Sequence, residues 1–270
     1  MAVKDSEIVV DVFDTSRVGC VIDSAGAHSI GAAMDMLILG HADVMIAGGA
    51  EAAISPLTVD SYDCMSVLSH GNEALHKASR PFDLHRNGFV IAEGAGVLVL
   101  ELWEAATARG AVIYAELKGY GMTCAAYSMA IPEPDGTWAA KAMEIALRRS
   151  RLSPDKIGYI NAHGTLTQAN DRIETLAIKR VFATGGAGLP PVSSNKSIGH
   201  VERGGCDRSC CHGAFNPPRD PPPDHQPGNA GPRVRPRLHP LGSAGRQDPG
   251  GDVQFLRIRG QNCALCFGRA

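Results

Sequence analysis

The stretch IGYINAHGTLTQANDRIETLAIKRVF, residues 157–182, contains the transition on which the interpretation of the fold rests. Its first residues form a short apolar run typical of a buried strand, and the run ends at polar residues around His163. Apolar residues then recur at helical spacing and predict the inner face of a helix: Ile173, Leu176, Ala177 and Val181. A strand that leads through polar residues into a helix predicts a layered α/β architecture.

The same alternation extends outward from about residue 24 to residue 200. ADVMIA and VIYAELKGYGM are strand-like, and AGVLVLELWEAATARG is a strand followed by a helix. PPVSSNKS is a short extended segment, and Gly40 stands where a helix is expected to end. Two further helices are predicted from apolar spacing, one by Ile30, Ala33, Met34, Leu37 and Ile38, the other by Trp138, Ala142, Ile145 and Ala146.

Composition excludes several classes of protein. The chain has 270 residues, 44% of them hydrophobic, which allows a substantial core. A net charge of -2 argues against nucleic acid as the main partner, and the apolar runs are too short and Gly-rich for a membrane span. The N-terminus lacks an export signal, so we expect a cytoplasmic protein whose eight cysteines are reduced thiols.

Residues 203–259 follow a different pattern. They contain 10 of the 17 prolines and nine arginines but no lysine, without apolar periodicity, which predicts a disordered tail or linker. The cluster CDRSCCH has irregular spacing for a metal site, and GPRVRPRLHP lacks the aromatic residues typical of a nucleic-acid surface. After this segment the chain ends in the apolar stretch GQNCALCFGRA.

Two polar clusters in the ordered part are candidates for chemistry. NAHGTLT places His163 just beyond a strand, beside the hydroxyls of Thr165 and Thr167. SSNKSIGH supplies Lys196 and His200 after a second strand, and Asp171 and Glu174 are available to set the charge of the ammonium and imidazole groups. A lone histidine at a strand end is more often structural. With two histidines and a lysine on neighbouring strand ends, a structural and a catalytic role are equally open.

Four stretches together resemble the β-ketoacyl-[acyl-carrier-protein] synthases, the condensing enzymes of fatty acid and polyketide synthesis: ADVMIAGGAEA, SRPFDLHRNGFVIAEGAGVLVLE, INAHGTLTQANDRIET and VSSNKSIGH. The resemblance covers residues 24–202 and then 260–270, and AHGTLTQANDRIETLAIKRVF is also similar to the rhizobial nodulation ketosynthase. It implies a thiolase-like layered α-β-α-β-α fold and a homodimer. Substrates would be carried on the phosphopantetheine of acyl carrier protein, with no other cofactor and no metal.

The resemblance also implies residue roles. In the family a cysteine accepts an acyl group, and two histidines support decarboxylation of malonyl carrier protein and stabilise the enolate, here His163 and His200. Lys196 would be the supporting lysine, held by Glu174. The hydroxyls of Thr165 and Thr167 would contact the pantetheine arm.

The chain departs from the family at the nucleophile. The family cysteine precedes GAHSIG, whereas this chain has VIDSAGAHSIG, so Asp23 occupies the slot or a deletion has removed the cysteine. Cys20 lies three residues too early and is expected to be an ordinary apolar thiol. The spacing from Lys196 to His200 is one residue shorter than in the family, so the family does not fix the position of His200. The chain begins almost at this motif, which predicts an incomplete fold lacking most of the N-terminal half.

The irregular segment has a specific possible origin. Plausible codons for residues 206–216, 220–228 and 250–259, when shifted by one base, spell AIEAVAMALS, ILPPTINL and VAMSNSFGF. This is the order in which the family has a helix, a Pro-Pro-Thr loop and the gating loop. We therefore divide the chain into a ketosynthase core at 1–202, an out-of-frame segment at 203–259 and a restored terminal strand at 260–270.

Two functions remain open from the sequence. One is a condensing enzyme by descent. The other is a non-catalytic partner of the chain-length-factor type or a decayed pseudogene product. An acylatable cysteine separates the first from the second.

Overall fold

Two β-sheets with helices between and beside them make up the described part of the chain. The computed structural model describes residues 25–128, 131–183, 188–201, 251–258 and 261–269. Cys20, Asp23 and the CDRSCCH cluster lie outside these residues. None of the described helices is long and apolar enough to cross a membrane.

The smaller sheet is an antiparallel pair. Helix α1 (Ala25–Ile38) leads into strand β1 (Val44–Glu51), which pairs along its whole length with β2 (Gly94–Glu101). Between the two strands lie helix α2 (Pro56–Cys64) and a 3₁₀ turn (Leu75–Lys77), and α3 (Trp103–Ala108) follows β2. Gly40, with φ +79°, lies just beyond the end of α1 as the sequence predicts.

The larger sheet has five strands in the order β3-β7-β6-β4-β5. Strand β4 is parallel to β5 and β6, and β7 is antiparallel to β3 and β6. The strands are β3 (Ala115–Cys124), β4 (Ile157–Asn161), β5 (Val192–Ser193), β6 (Gly251–Ile258) and β7 (Gln261–Arg269). The other elements are helices α4 (Thr137–Ser150) and α5 (Gln168–Phe182), with 3₁₀ turns at Pro154–Lys156 and Asn195–Ile198.

Helix α1 forms a layer between the two sheets. Its buried residues, Ala27, Ile30, Ala33 and Leu37, share one core with β1 and β2 and with residues of β3 and β7. A side chain at Gly31 would place its Cβ 2.6 Å from the Tyr120 ring, so α1 lies very close to β3. A second core joins α4 and α5 to the opposite face of the larger sheet. The described residues therefore form four layers, in the order sheet, helix, sheet and helices. The α-β-α-β-α fold expected from the sequence has five.

Strand β7 is buried on both faces. Cys263, Leu265 and Phe267 belong to the core around α1, whereas Ala264 and Cys266 belong to the core beneath α4 and α5. A strand covered on both faces is apolar at successive positions rather than at alternate ones. This explains the continuous apolar run NCALCF.

Three predictions need correction. Trp138 is 41% exposed and Leu176 is 45% exposed, although both were predicted to face the core. The buried face of each helix is centred on other residues: Ala139, Ala142 and Met143 in α4, and Ile173, Ala177 and Ile178 in α5. Residues 251–258 were expected to lack regular structure, yet their backbone forms β6. Backbone pairing with β4 and β7 defines that strand, and its irregular side-chain pattern did not reveal it.

Candidate functional site

The two polar clusters meet because their strands are neighbours. Strands β4 and β5 run parallel with Asn161 opposite Ser193. The segments that follow the two strands therefore leave the sheet at the same end. His163 follows β4, and Lys196 and His200 follow β5. All three side chains are buried, with exposures of 2%, 2% and 5%. The predicted histidine–lysine cluster therefore exists in the structure.

Lys196 holds the imidazole of His163. Its Nζ lies 2.7 Å from the His163 carbonyl oxygen, which can only accept a hydrogen bond, and 3.2 Å from Nδ1 of the His163 ring. Because an ammonium group at Lys196 can only donate, we assign Nδ1 as the accepting nitrogen and place the ring proton on Nε2. The arrangement presents an N–H donor on the side of the ring opposite Lys196.

Glu174 fixes the backbone that carries His163. Its carboxylate accepts the N–H of His163 at 2.6 Å and the N–H of Gly164 at 2.8 Å. Gly164 has φ +44°, and a Cβ there would lie 2.6 Å from Cβ of Ser194, so the two loops approach too closely for a larger residue. The predicted contact between Glu174 and Lys196 stays a prediction.

Asp171 has a different role from the one the sequence suggested. Its carboxylate accepts the N–H groups of Phe82 at 2.8 Å and Leu166 at 3.1 Å, two residues held with positive φ, and Arg86 Nε lies 3.4 Å away. Burial raises the pKa of Asp171, while these amides and Arg86 act in the opposite direction. Asp171 stabilises the loops around the site instead of setting the charge of Lys196.

Arg86 continues this support. Its guanidinium donates to the carbonyl oxygens of Asp83 at 2.8 Å, Thr167 at 3.2 Å and Gln168 at 3.0 Å. The segment FDLHRNGFV is therefore attached to the loop that follows His163.

His200 reaches the site despite the short spacing from Lys196. Gly199 adopts φ +137°, a conformation that favours glycine, and its Cβ would lie 2.7 Å from Cβ of Ala92. The backbone N–H of His200 donates to Val90 O at 2.7 Å, and its carbonyl accepts from Ala92 N–H at 2.9 Å. The His163 and His200 ring centroids are 6.3 Å apart. Burial lowers the pKa of His200 to about 4, so this imidazole is neutral at pH 7.

The two threonines border the same loop. Thr165 is buried, and its hydroxyl lies 3.3 Å from that of Thr167. The Thr167 hydroxyl also accepts the N–H of Asn170 at 3.2 Å and caps the N-terminus of α5. The predicted contact of both hydroxyls with pantetheine stays a prediction.

Three residues at the site were missed by sequence reasoning. Ser79 donates through its hydroxyl to the Lys196 carbonyl oxygen, and Ser194 Oγ donates to His163 O at 3.2 Å. The ring of Phe89 stacks on that of His200 with a centroid distance of 4.3 Å and an angle of 25°. Ser79 and Phe89 come from a segment distant in sequence, so no local spacing could have revealed them.

Comparison with known families decides the identity. Residues 20–106 match the family described as beta-ketoacyl synthase, N-terminal domain, and residues 114–206 match beta-ketoacyl synthase, C-terminal domain. Together the matches span two thirds of the chain. The chain belongs to the β-ketoacyl synthase family. The resemblance found in the four sequence motifs is confirmed, whereas closeness to the rhizobial nodulation ketosynthase stays a prediction.

Individual relatives agree with the family assignment. The 3-oxoacyl-[acyl-carrier-protein] synthase 2 of Vibrio cholerae is 48% identical over 179 residues, covering 66% of this chain and 43% of the relative. The mitochondrial 3-oxoacyl-[acyl-carrier-protein] synthase of Arabidopsis thaliana is 49% identical over 182 residues, covering 66% and 39%. This β-ketoacyl synthase family member thus spans less than half the length of these curated relatives.

Solved structures establish the fold. A type II polyketide ketosynthase in complex with its acyl carrier protein superposes with a TM-score of 0.82 at 33% identity, covering 92% of this chain and 61% of that one. The ishigamide ketosynthase/chain length factor gives a TM-score of 0.79 at 28% identity, covering 92% and 59%. The chain has the thiolase-like layered α/β fold in incomplete form.

Proposed function

We propose that this chain descends from a β-ketoacyl-[acyl-carrier-protein] synthase and retains the part of the site that acts on a malonyl thioester. The observation that carries the proposal is the buried cluster of His163, Lys196 and His200 at adjacent strand ends. Relatives that are 48% identical are named 3-oxoacyl-[acyl-carrier-protein] synthases. We extend their partner, acyl carrier protein, to this chain as part of the proposal.

The chemistry of the cluster suits decarboxylation. Breaking the bond between the carboxylate carbon and the α-carbon of malonyl thioester releases CO₂, and the electron pair moves to the thioester carbonyl oxygen. The Nε2–H of His163 and the N–H of neutral His200 are donors suited to that developing oxyanion. The enolate then takes a proton from water at the α-carbon and leaves as an acetyl thioester.

Acyl transfer is not expected from the same chain. Condensation requires a thiolate that forms an acyl thioester, and Asp23 stands in the nucleophile slot when the sequence is aligned without a gap. A carboxylate does not form that thioester. We therefore assign the first half of the family reaction to this chain and withhold the second.

Decarboxylation is tested with malonyl carrier protein as the only substrate. We expect CO₂ and acetyl carrier protein to form, and His163→Ala or His200→Ala to reduce kcat by about 100-fold because each removes an oxyanion donor. Lys179→Ala, a change on the distal part of α5, is the matched control and should leave kcat unchanged. Equal rates in wild type and in both histidine variants would contradict the proposal.

A second candidate is a non-catalytic partner subunit. It is favoured by Asp23 in the nucleophile slot and by the likeness to a ketosynthase/chain length factor structure. Co-expression with an acylatable ketosynthase distinguishes the candidates, since a partner subunit should co-purify in a defined ratio and alter product chain length. We also propose that the chain forms a homodimer and is located in the cytoplasm.

A further inference from the structure

The imidazole of His200 is fixed in two different ways. Its backbone is bound to the segment that follows Phe89, through the hydrogen bonds with Val90 and Ala92 and a parallel bridge with Ile91. These contacts determine the position of Cα but leave rotation about the side-chain torsions χ1 and χ2 free. The ring has two aromatic neighbours among the described residues, Phe89 face to face and His163 edge to face.

We propose that Phe89 is a positioning residue that sets the ring orientation of His200, and thereby aims its N–H at the reacting thioester. The stack is close, with centroids 4.3 Å apart and planes inclined by 25°, so rotation of the imidazole about χ2 brings its edge into the Phe89 ring. The His163 ring is inclined by 70° to the His200 ring at a centroid distance of 6.3 Å, so it restricts rotation of the His200 ring less than Phe89 does. The role rests on the proposed function of His200 as an oxyanion donor.

Phe89 is itself held firmly enough for this task. Its N–H donates to Val67 O at 2.8 Å, and its carbonyl accepts from Ser69 N–H at 2.9 Å. The Tyr62 ring meets it edge to face at 5.3 Å. Gly88 before it has φ +119°, and a Cβ there would lie 2.5 Å from the backbone of Leu68. The support for His200 therefore comes from a rigid loop between α2 and β2.

The direct test is the proton NMR spectrum of the histidine rings. The His200 signals, assigned by their loss in His200→Gln, should lie upfield of ordinary histidine signals because they sit over the Phe89 face. In Phe89→Leu the upfield shift should disappear, and in Phe89→Tyr it should remain. Phe182→Leu removes a phenyl ring from the other core and is the matched control, in which the His200 signals should stay in place.

Kinetics provide the second readout. In decarboxylation of malonyl carrier protein, Phe89→Leu should reduce kcat by 10- to 100-fold, on the order expected for a misaligned group, with KM nearly unchanged. Phe89→Tyr should restore most of kcat. If Phe89→Leu does not fold, Phe89→Met replaces it, since a flexible thioether fills the space without a flat face.

The inference is overturned if wild-type His200 shows no upfield shift, or if a folded variant without the Phe89 ring keeps wild-type kcat. If wild type lacks decarboxylation, the proposed function fails, whereas the NMR comparison still decides whether Phe89 orients His200.

Discussion

His200 links protonation to stability. Burial lowers the pKa of His200 to about 4, whereas the imidazole in the unfolded chain titrates near 6.5. Between these values the unfolded chain binds the proton more strongly, so stability is complete above pH 6.5 and decreases as the pH falls toward 4. The expected loss is on the order of 3 kcal/mol.

Urea unfolding at a series of pH values measures this effect. Between pH 6.5 and 4, the free energy of unfolding should decrease less steeply in His200→Gln than in wild type, because the variant lacks the titrating ring. His70→Gln is the control, since His70 is an exposed histidine beside Asp63. If the free energy of unfolding falls equally steeply with pH in wild type and in His200→Gln, the lowered pKa of His200 is contradicted.

Gly199 is the residue that allows His200 to reach the site. Gly199→Ala places a Cβ 2.7 Å from that of Ala92 in a backbone conformation with φ +137°, and we expect a loss of about 1–3 kcal/mol with at least tenfold slower decarboxylation. Gly40→Ala is the matched control. That glycine also has positive φ, but nothing lies within 4 Å of its Cβ position, so stability should fall by about 1 kcal/mol without an effect on kcat.

The sequence predicted part of the site. His163, Lys196 and His200 were found because polar residues follow neighbouring strands, and the structure brings them together. Asp171 was placed correctly near the site but given the wrong partner, since a carboxylate on a helix does not reveal which loop amides it will accept. Phe89 depends on a long-range contact, which sequence spacing does not encode.

At the level of elements, a polar contact joins α1 to the larger sheet. The Tyr120 hydroxyl donates to Asp35, Arg149 pairs with Asp35, and the Arg149 guanidinium lies 4.1 Å from the centre of the Tyr120 ring. Burial raises the pKa of Tyr120 to about 12. The contact thus connects α1, β3 and α4 across the core.

Tyr120→Phe should lower the free energy of unfolding by about 1–2 kcal/mol, because Asp35 loses a donor. The raised pKa also predicts that the contribution of Tyr120 is complete below pH 10 and is lost as the pH rises through 12. Thermal unfolding measures the change in stability, and the absorbance change of tyrosine ionisation measures the titration of Tyr120. Tyr127→Phe, at a 56% exposed tyrosine, should change stability by less than about 0.5 kcal/mol.

The predicted helices and strands illustrate what periodicity can reveal. Strands β1 to β4 and helices α1, α4 and α5 were expected from apolar spacing and are present. The predicted face of α4 was right at Ala142 and Ala146 but wrong at Trp138, because the buried face consists largely of alanines, which carry a weaker hydrophobic signal than Trp138. Strand β6 was missed because its sequence, GDVQFLRI, has no strand periodicity.

At the level of the whole molecule, the composition of β6 conflicts with its position. Its backbone pairs with β4 on one edge and β7 on the other, and such central strands are ordinarily apolar. This chain has Asp252, Gln254 and Arg257 there. We propose that residues 203–259 are an out-of-frame translation, for which the one-base shift supplies VAMSNSFGF in the same place.

Restoring the frame tests this proposal. The nucleotide sequence should spell the three shifted motifs. A chain carrying the shifted residues should melt at a higher temperature, because Met and Gly replace Asp252 and Arg257 and remove two charges from the central strand. A chain with residues 203–259 in scrambled order is the control and should not gain stability. Codons that do not spell these motifs would rule the proposal out.

We propose that the site acts on malonyl thioester but does not accept an acyl group. Mass spectrometry of one reaction containing this chain, acyl carrier protein thioester and malonyl carrier protein tests this most directly. We predict acetyl carrier protein, no 3-oxoacyl carrier protein and an unmodified chain. An acyl adduct on Cys20, or any 3-oxoacyl product, would contradict the account.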